Sequence, residues 1–363
     1  MLNRDLPPAF RFPLMALAFM ALLAGIGAGL ARLGWAMPSG FAALAAWHGP
    51  LMACGFFGTV IGLERAVALG RGWAYLGPLA GAVGTAALVG GQGAWMPACL
   101  VVSSAFLFAA SVAICFRQRA MFTFTLALAA ACWVAGNLVF AIDPDVRRVL
   151  PWWIAFLALT IAAERLELSR FAPRSVVAER LFVLVVGVLV GGCVASFWSV
   201  EAGWKLLSAS LLLLSLWLAR YDLARRTVRQ RGLTRFMAVS LLAGYAWLAA
   251  GSFLLLATDA RSGGMLWDAA LHAILLGFVF SMVFGHAPVI LPAVLRVRLD
   301  YSPVFYVPLA LLHASVTARF AADLFGLHAW RPWAGAANGA ALAAFVAVMA
   351  YSAAAKSVRR DLS

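Results

Sequence analysis

Charge is what this chain has least of. Only 12% of its 363 residues are charged, 64% are hydrophobic, and mean hydropathy is +0.94. That balance excludes an ordinary soluble domain, and no stretch is polar enough, or long enough, to fold outside a membrane. Cysteine is sparse too: Cys54, Cys99, Cys115, Cys132 and Cys193 lie in apolar segments and share no C-x-x-C spacing. Disulfide frameworks, zinc ribbons and c-type haem attachment therefore have no support, and the five read as small packing residues. No small-residue cleavage site precedes the first apolar run, so it is expected to stay as a helix rather than leave as a signal peptide. Carboxylates are scarce inside the apolar segments. Glu64 and Glu164 stand at segment ends beside Arg65 and Arg165 and read as interfacial ion pairs.

What is present is a series of apolar runs of about 20 residues, the length that crosses a bilayer. Twelve can be read, roughly 12–31, 40–63, 73–91, 95–116, 120–141, 149–163, 180–200, 203–219, 234–258, 266–292, 303–326 and 332–355. The expected fold is all-α, a single polytopic bundle over residues 1–363 with about 12 transmembrane helices. Trp35, Trp73, Trp152, Trp198, Trp267 and Trp330 fall near run ends, where an amphipathic indole prefers to lie.

A net charge of +14 suggests nucleic acid at first sight, but its placement argues for topology instead. One set of loops carries Arg65, Arg71, Arg117, Arg119, Arg170 and Arg174, together with the arginines from Arg220 to Arg235. The opposite set has only Arg32, Arg147, Arg148, Lys205, Arg261 and Arg331. Cationic loops stay inside, so both termini are expected in the cytoplasm of a bacterial inner membrane, with the lipid bilayer as partner and no nucleic acid. The loop from Arg220 to Arg235 reads as a retention loop and also suits anionic lipid.

Histidine is rare, and four of five lie inside apolar segments: His48, His272, His286 and His313. An imidazole in hydrocarbon is costly, and it is a common ligand of haem iron and copper. His48 heads a face with Met52, Gly55, Thr59 and Gly62 below it. Small residues there either leave room for a flat macrocycle or simply let helices pack closely. His272 and His286 are fourteen residues apart, so they share a face but stand about 21 Å apart along it. His313, on the next run, falls between them in depth. Arg319 and Arg331 are candidates for a haem's propionates; for Arg319 the competing readings are snorkelling or a pair with Asp323 one turn away. Asp268, four residues before His272, is placed to orient its ring.

These residues resemble a known superfamily. A W-H-G-x-x-M context on the second helix and a histidine on the tenth are similar to subunit I of haem–copper oxidases. The resemblance is closer to the NnrS family, haem- and copper-containing membrane proteins linked to nitric oxide stress. It rests on Phe10-Arg11-Phe12, on Trp47-His48, Met52, Gly55 and Phe56, and on His272, Gly277, Met282 and Gly285-His286. It implies haem b with His48 and His272 as axial ligands, His313 as a further candidate, Met52 and Asp268 as supporting residues, and copper as a second metal. Departures are plain: Pro50 stands where that family has a second histidine, Leu51 where it has a glutamate. The sixth and seventh helices lack histidine, so the copper site of a terminal oxidase has no counterpart. Whether His286 and His313 form a metal site in its place stays open.

The expected function is therefore a haem-binding membrane redox protein of NnrS type, handling nitric oxide or passing electrons from quinol. If it is an enzyme, it is an oxidoreductase acting on nitric oxide or quinol. A different class is a secondary transporter whose tenth helix is broken at Gly285, Pro288 and Pro292, with His286 lining a cavity. A third is a haem-free membrane scaffold.

Overall fold

The computed structural model describes residues 4–170, 175–260 and 263–361, with side chains to residue 353. Arg174 and Arg261, both used in the topology reading, lie outside the described residues. Every described element is helical, as expected. Twelve helices are long and apolar enough to cross a membrane: α1 (Pro8–Arg32), α2 (Ala45–Leu69), α3 (Gly72–Val89), α4 (Gly93–Arg117), α5 (Met121–Ile142), α6 (Val146–Leu168), α7 (Val176–Ala195), α8 (Val200–Tyr221), α9 (Gly232–Ala257), α10 (Gly264–Leu295), α11 (Pro303–Leu324) and α12 (Arg331–Ala353). The chain reads as a multi-pass membrane protein. It divides into two compact units, Met1–Ala163 and Glu164–Ser363.

The helix ends follow local chemistry. Ser175 and Ser199 cap α7 and α8 by accepting the amides of Ala178 and Ala202. Gly70, with φ of 65°, ends α2 in the left-handed region that glycine enters without penalty. Arg296 does the same for α10 at φ 56° and is the non-glycine exception among the described residues.

The first unit is knitted by a buried polar knot. Asn137 of α5 donates to the Leu100 carbonyl of α4 at 3.0 Å and accepts from Trp153 Nε1 of α6 at 3.0 Å. Cys54 of α2 accepts from Trp133 Nε1 at 3.3 Å, and Trp133 stacks on Phe156 with ring centroids 4.9 Å apart. Gly58 is required here, because a Cβ would fall 2.2 Å from the Trp133 ring. Cys54 is thus a packing residue with a hydrogen-bonding role as well.

Two helices depart from α geometry at related places. Leu51–Phe56 of α2 and Ala273–Phe280 of α10 are π-helical, and each comes shortly after a histidine, His48 or His272. A π turn fits an extra residue and so rotates the rest of the helix; such turns recur at functional sites. Of the two readings of the small residues below His48, the contacts favour close helix packing. Gly55 packs against Ala21 and Thr85, Gly58 against Trp133, and Gly62 against Pro78, so these are filled helix contacts, not a floor for a macrocycle. The expected break in α10 is also replaced. Pro288 and Pro292 sit inside Ser281–Leu295, which stays helical, because neighbouring helices re-satisfy a spanning helix that loses single hydrogen bonds.

Candidate functional site

In the first unit the histidine of interest is held by α1. His48 Nδ1 lies 2.8 Å from the Gly25 carbonyl oxygen. A carbonyl only accepts, so Nδ1 carries the hydrogen and, in the neutral ring, Nε2 keeps its lone pair. A metal can bind a neutral imidazole through either nitrogen, and here a backbone carbonyl fixes the ring in the form that would ligate through Nε2. The approach depends on glycine: a Cβ on Gly29 would come within 2.9 Å of the His48 ring atoms. Met52 rests on the same wall, its sulfur 2.6 Å from where a Gly25 Cβ would stand.

In the second unit, polar groups gather at both ends of α10. At the Gly264 end, His272 Nδ1 donates to the Asp268 carbonyl oxygen at 2.8 Å and lies 3.5 Å from Asp268 Oδ2. The backbone thus orients this ring, with the carboxylate close by, and Nε2 again keeps the lone pair in the neutral form. Asp268 also accepts from Arg319 and, at 2.8 Å, from Arg331. Asp323 accepts from Arg319 at 2.8 Å and from Arg331 at 2.7 Å. Two guanidinium groups and two carboxylates therefore neutralise one another, with the Asp323 side chain fully buried. The Asp323 pairing is the reading of Arg319 that the structure bears on directly. The two arginines already hold carboxylates of the chain itself, where the resemblance implied propionates.

Toward the Leu295 end, His286 Nδ1 donates to the Met282 carbonyl at 2.7 Å, and its Nε2 stands 3.1 Å from Arg165 Nη1. With Nδ1 protonated, Nε2 accepts from the guanidinium. Arg165 in turn grips Asp222 with two hydrogen bonds, at 3.0 and 3.2 Å, and Tyr245 donates its hydroxyl to the same carboxylate. Arg165 is therefore a buried partner of Asp222, which corrects its reading as one half of an interfacial pair with Glu164. Arg65 keeps the expected partner, Glu64, at 3.0 Å.

His313 has the opposite tautomer. Trp247 Nε1 donates to His313 Nδ1 at 3.1 Å. An indole nitrogen only donates, so Nδ1 offers its lone pair and Nε2 carries the hydrogen. His286 and His313, the pair left open as a metal site, are each hydrogen-bonded to a different partner. One accepts from a guanidinium, a poor neighbour for a metal cation, and the other accepts from an indole. Among the described residues, no group of three or more His, Cys, Asp or Glu is arranged to hold a metal ion.

Asp222, Tyr245, Trp247 and Asn338 were not legible as site residues. Asp222 lies one position beyond α8, where a sequence reading expects solvent; only packing shows that it is 6% exposed. Tyr245 and Asn338 carried a weak signal, being polar groups within apolar runs.

Helix number, burial and the charge clusters define the class: a polytopic α-helical membrane protein with ionisable groups concentrated in its second unit. The chain belongs to the DUF8744 family, described as a domain of unknown function, whose family model matches residues 11–354. No curated protein and no solved structure matches it.

Proposed function

We propose that the chain is a haem b-binding redox protein of the bacterial inner membrane, with His48 and His272 as iron ligands, each in its own unit. It would handle nitric oxide or pass electrons from quinol, the chemistry that the resemblance to the NnrS family implies. The supporting observation is that both rings turn Nδ1–H to a backbone carbonyl at 2.8 Å; His286 does so too, at 2.7 Å, but its Nε2 accepts from Arg165. A bound haem would supply one-electron chemistry and, where iron keeps an open position, a place for a diatomic ligand. The chain's own part is to orient the imidazoles and exclude water around them. The donor set fits this group, while the propionate role of Arg319 and Arg331 fits less well, since both are already neutralised by Asp268 and Asp323.

The test is the optical spectrum of full-length protein purified from cells supplied with haem. A Soret band is expected, with most of the haem lost in His48→Ala and in His272→Ala, each read separately. His286→Ala and His313→Ala should keep it. A colourless wild-type protein overturns the reading and leaves the scaffold or transporter class.

A further inference from the structure

Between Arg220 and Arg235 the chain carries six arginines and one carboxylate, Asp222. That carboxylate does not serve them. Its side chain is turned inward, fully buried, and accepts from Arg165 and Tyr245. Arg220, Arg225, Arg226, Arg229, Arg231 and Arg235 are all exposed. Arg225 donates to the Arg220 carbonyl at 3.1 Å, and the Arg220 guanidinium lies 5.2 Å from the Tyr221 ring centroid. Neither contact offsets charge. A second cationic stretch joins them. A Cβ on Gly232 would lie 4.0 Å from the Tyr301 ring, and Phe236 packs 6.5 Å from that ring. These contacts bring residues 296–301 beside the start of α9, with Arg296 and Arg298 exposed. Across residues 220–235 and 296–301, eight exposed guanidinium groups face a single exposed carboxylate, Asp300.

Position limits what can meet this surface. α8 ends at Tyr221 and α9 begins at Gly232, so residues 222–231 link two spans directly. The link is also folded back: it forms a short helix, Ala224–Thr227, whose first residue is fully buried. Its arginines are thereby kept at the level of the lipid headgroups. A phosphodiester at that level has the complementary charge and accepts two parallel N–H bonds from one guanidinium. We propose that this surface binds the phosphate headgroups of anionic phospholipids in the leaflet it borders. A loop that serves retention alone needs its charge during insertion and afterwards shows no preference among lipids. The proposal is independent of haem.

Native mass spectrometry of full-length protein in a neutral detergent, titrated with phosphatidylglycerol or phosphatidylcholine, provides the test. Wild type should hold phosphatidylglycerol the more tightly, and less so as ammonium acetate is raised. Each guanidinium at a membrane surface contributes about fivefold to affinity, so Arg226→Gln, Arg229→Gln and Arg231→Gln combined should lose about a hundredfold. Arg296→Gly should lose about fivefold while its unfolding midpoint holds or rises, because glycine accepts the φ of 56° at that position without steric penalty. Arg147→Gln with Arg148→Gln removes exposed arginines already paired with Asp145 and Asp143, and should bind as wild type does. Equal affinity for the two lipids, a triple variant that binds like wild type, or an equal loss in the paired control overturns the proposal. If the triple variant does not purify intact, unchanged binding in Arg296→Gly overturns it instead. So does displacement of the lipid by glycerol 1-phosphate or an RNA oligonucleotide, which would assign the surface to a soluble partner.

Discussion

At the scale of single residues, partners decide what each ionisable group can do. Four imidazoles in apolar runs divide into two kinds, because a carbonyl beside Nδ1 and an indole beside Nδ1 impose opposite tautomers. Gly29 is the most economical place to test the His48 arrangement without removing the ligand. Gly29→Ala puts a methyl 2.9 Å from the ring, so the ring must shift, and haem affinity should fall roughly 10–100-fold, as for other groups that orient a ligand. Haem titration against wild type measures it. Asp222 offers a stability test: its side chain is fully buried beside Arg165. Asp222→Ala leaves that guanidinium uncompensated and should cost about 3–5 kcal/mol, seen as a lower unfolding midpoint in detergent. An unchanged midpoint would mean that water or lipid reaches Arg165.

At the scale of elements, the π turns are the features with most consequence. The turn at Leu51–Phe56 sets how the His48 end of α2 is rotated relative to Gly58 and the Trp133 contact below it. Deleting Ala53 should let the segment relax to α geometry with both ends keeping their facing, because a π turn holds one residue more than the α turn it replaces. Helix content by circular dichroism should be unchanged and haem binding kept. Lost haem would show that the π turn itself places His48. In α10 the prolines turn out to be the lesser irregularity, because each removes one backbone donor whereas a π turn changes register along the rest of the helix.

At the scale of the whole molecule, charge placement sets orientation. By the positive-inside rule the arginines between Arg220 and Arg235 should lie on the cytoplasmic side, and both termini should share it. Fusions at the C-terminus and within that loop should activate a cytoplasmic reporter and leave a periplasmic one silent. A working periplasmic reporter at the loop would invert the topology. The buried charges of the second unit, by contrast, are paired at both ends of α10, and in the first unit Arg11 and Arg65 pair with Asp5 and Glu64. Such pairing is how a low-dielectric interior accommodates ionised groups.

Sequence by itself determined the helical class, the twelve spans, and the four histidines worth asking about. It could do so because apolar length and loop charge are local quantities that bilayer thickness and insertion read directly. The Arg319–Asp323 pair was legible for the same reason, being one helical turn. Only tertiary structure decided that Arg165 belongs with Asp222, that α10 stays continuous, and that Gly55 and Gly62 are packed against neighbouring helices. It also decided that His286 meets Arg165 and His313 meets Trp247. Those outcomes depend on which groups from distant stretches of chain meet in the interior, where each polar atom must find a partner and no local pattern names it.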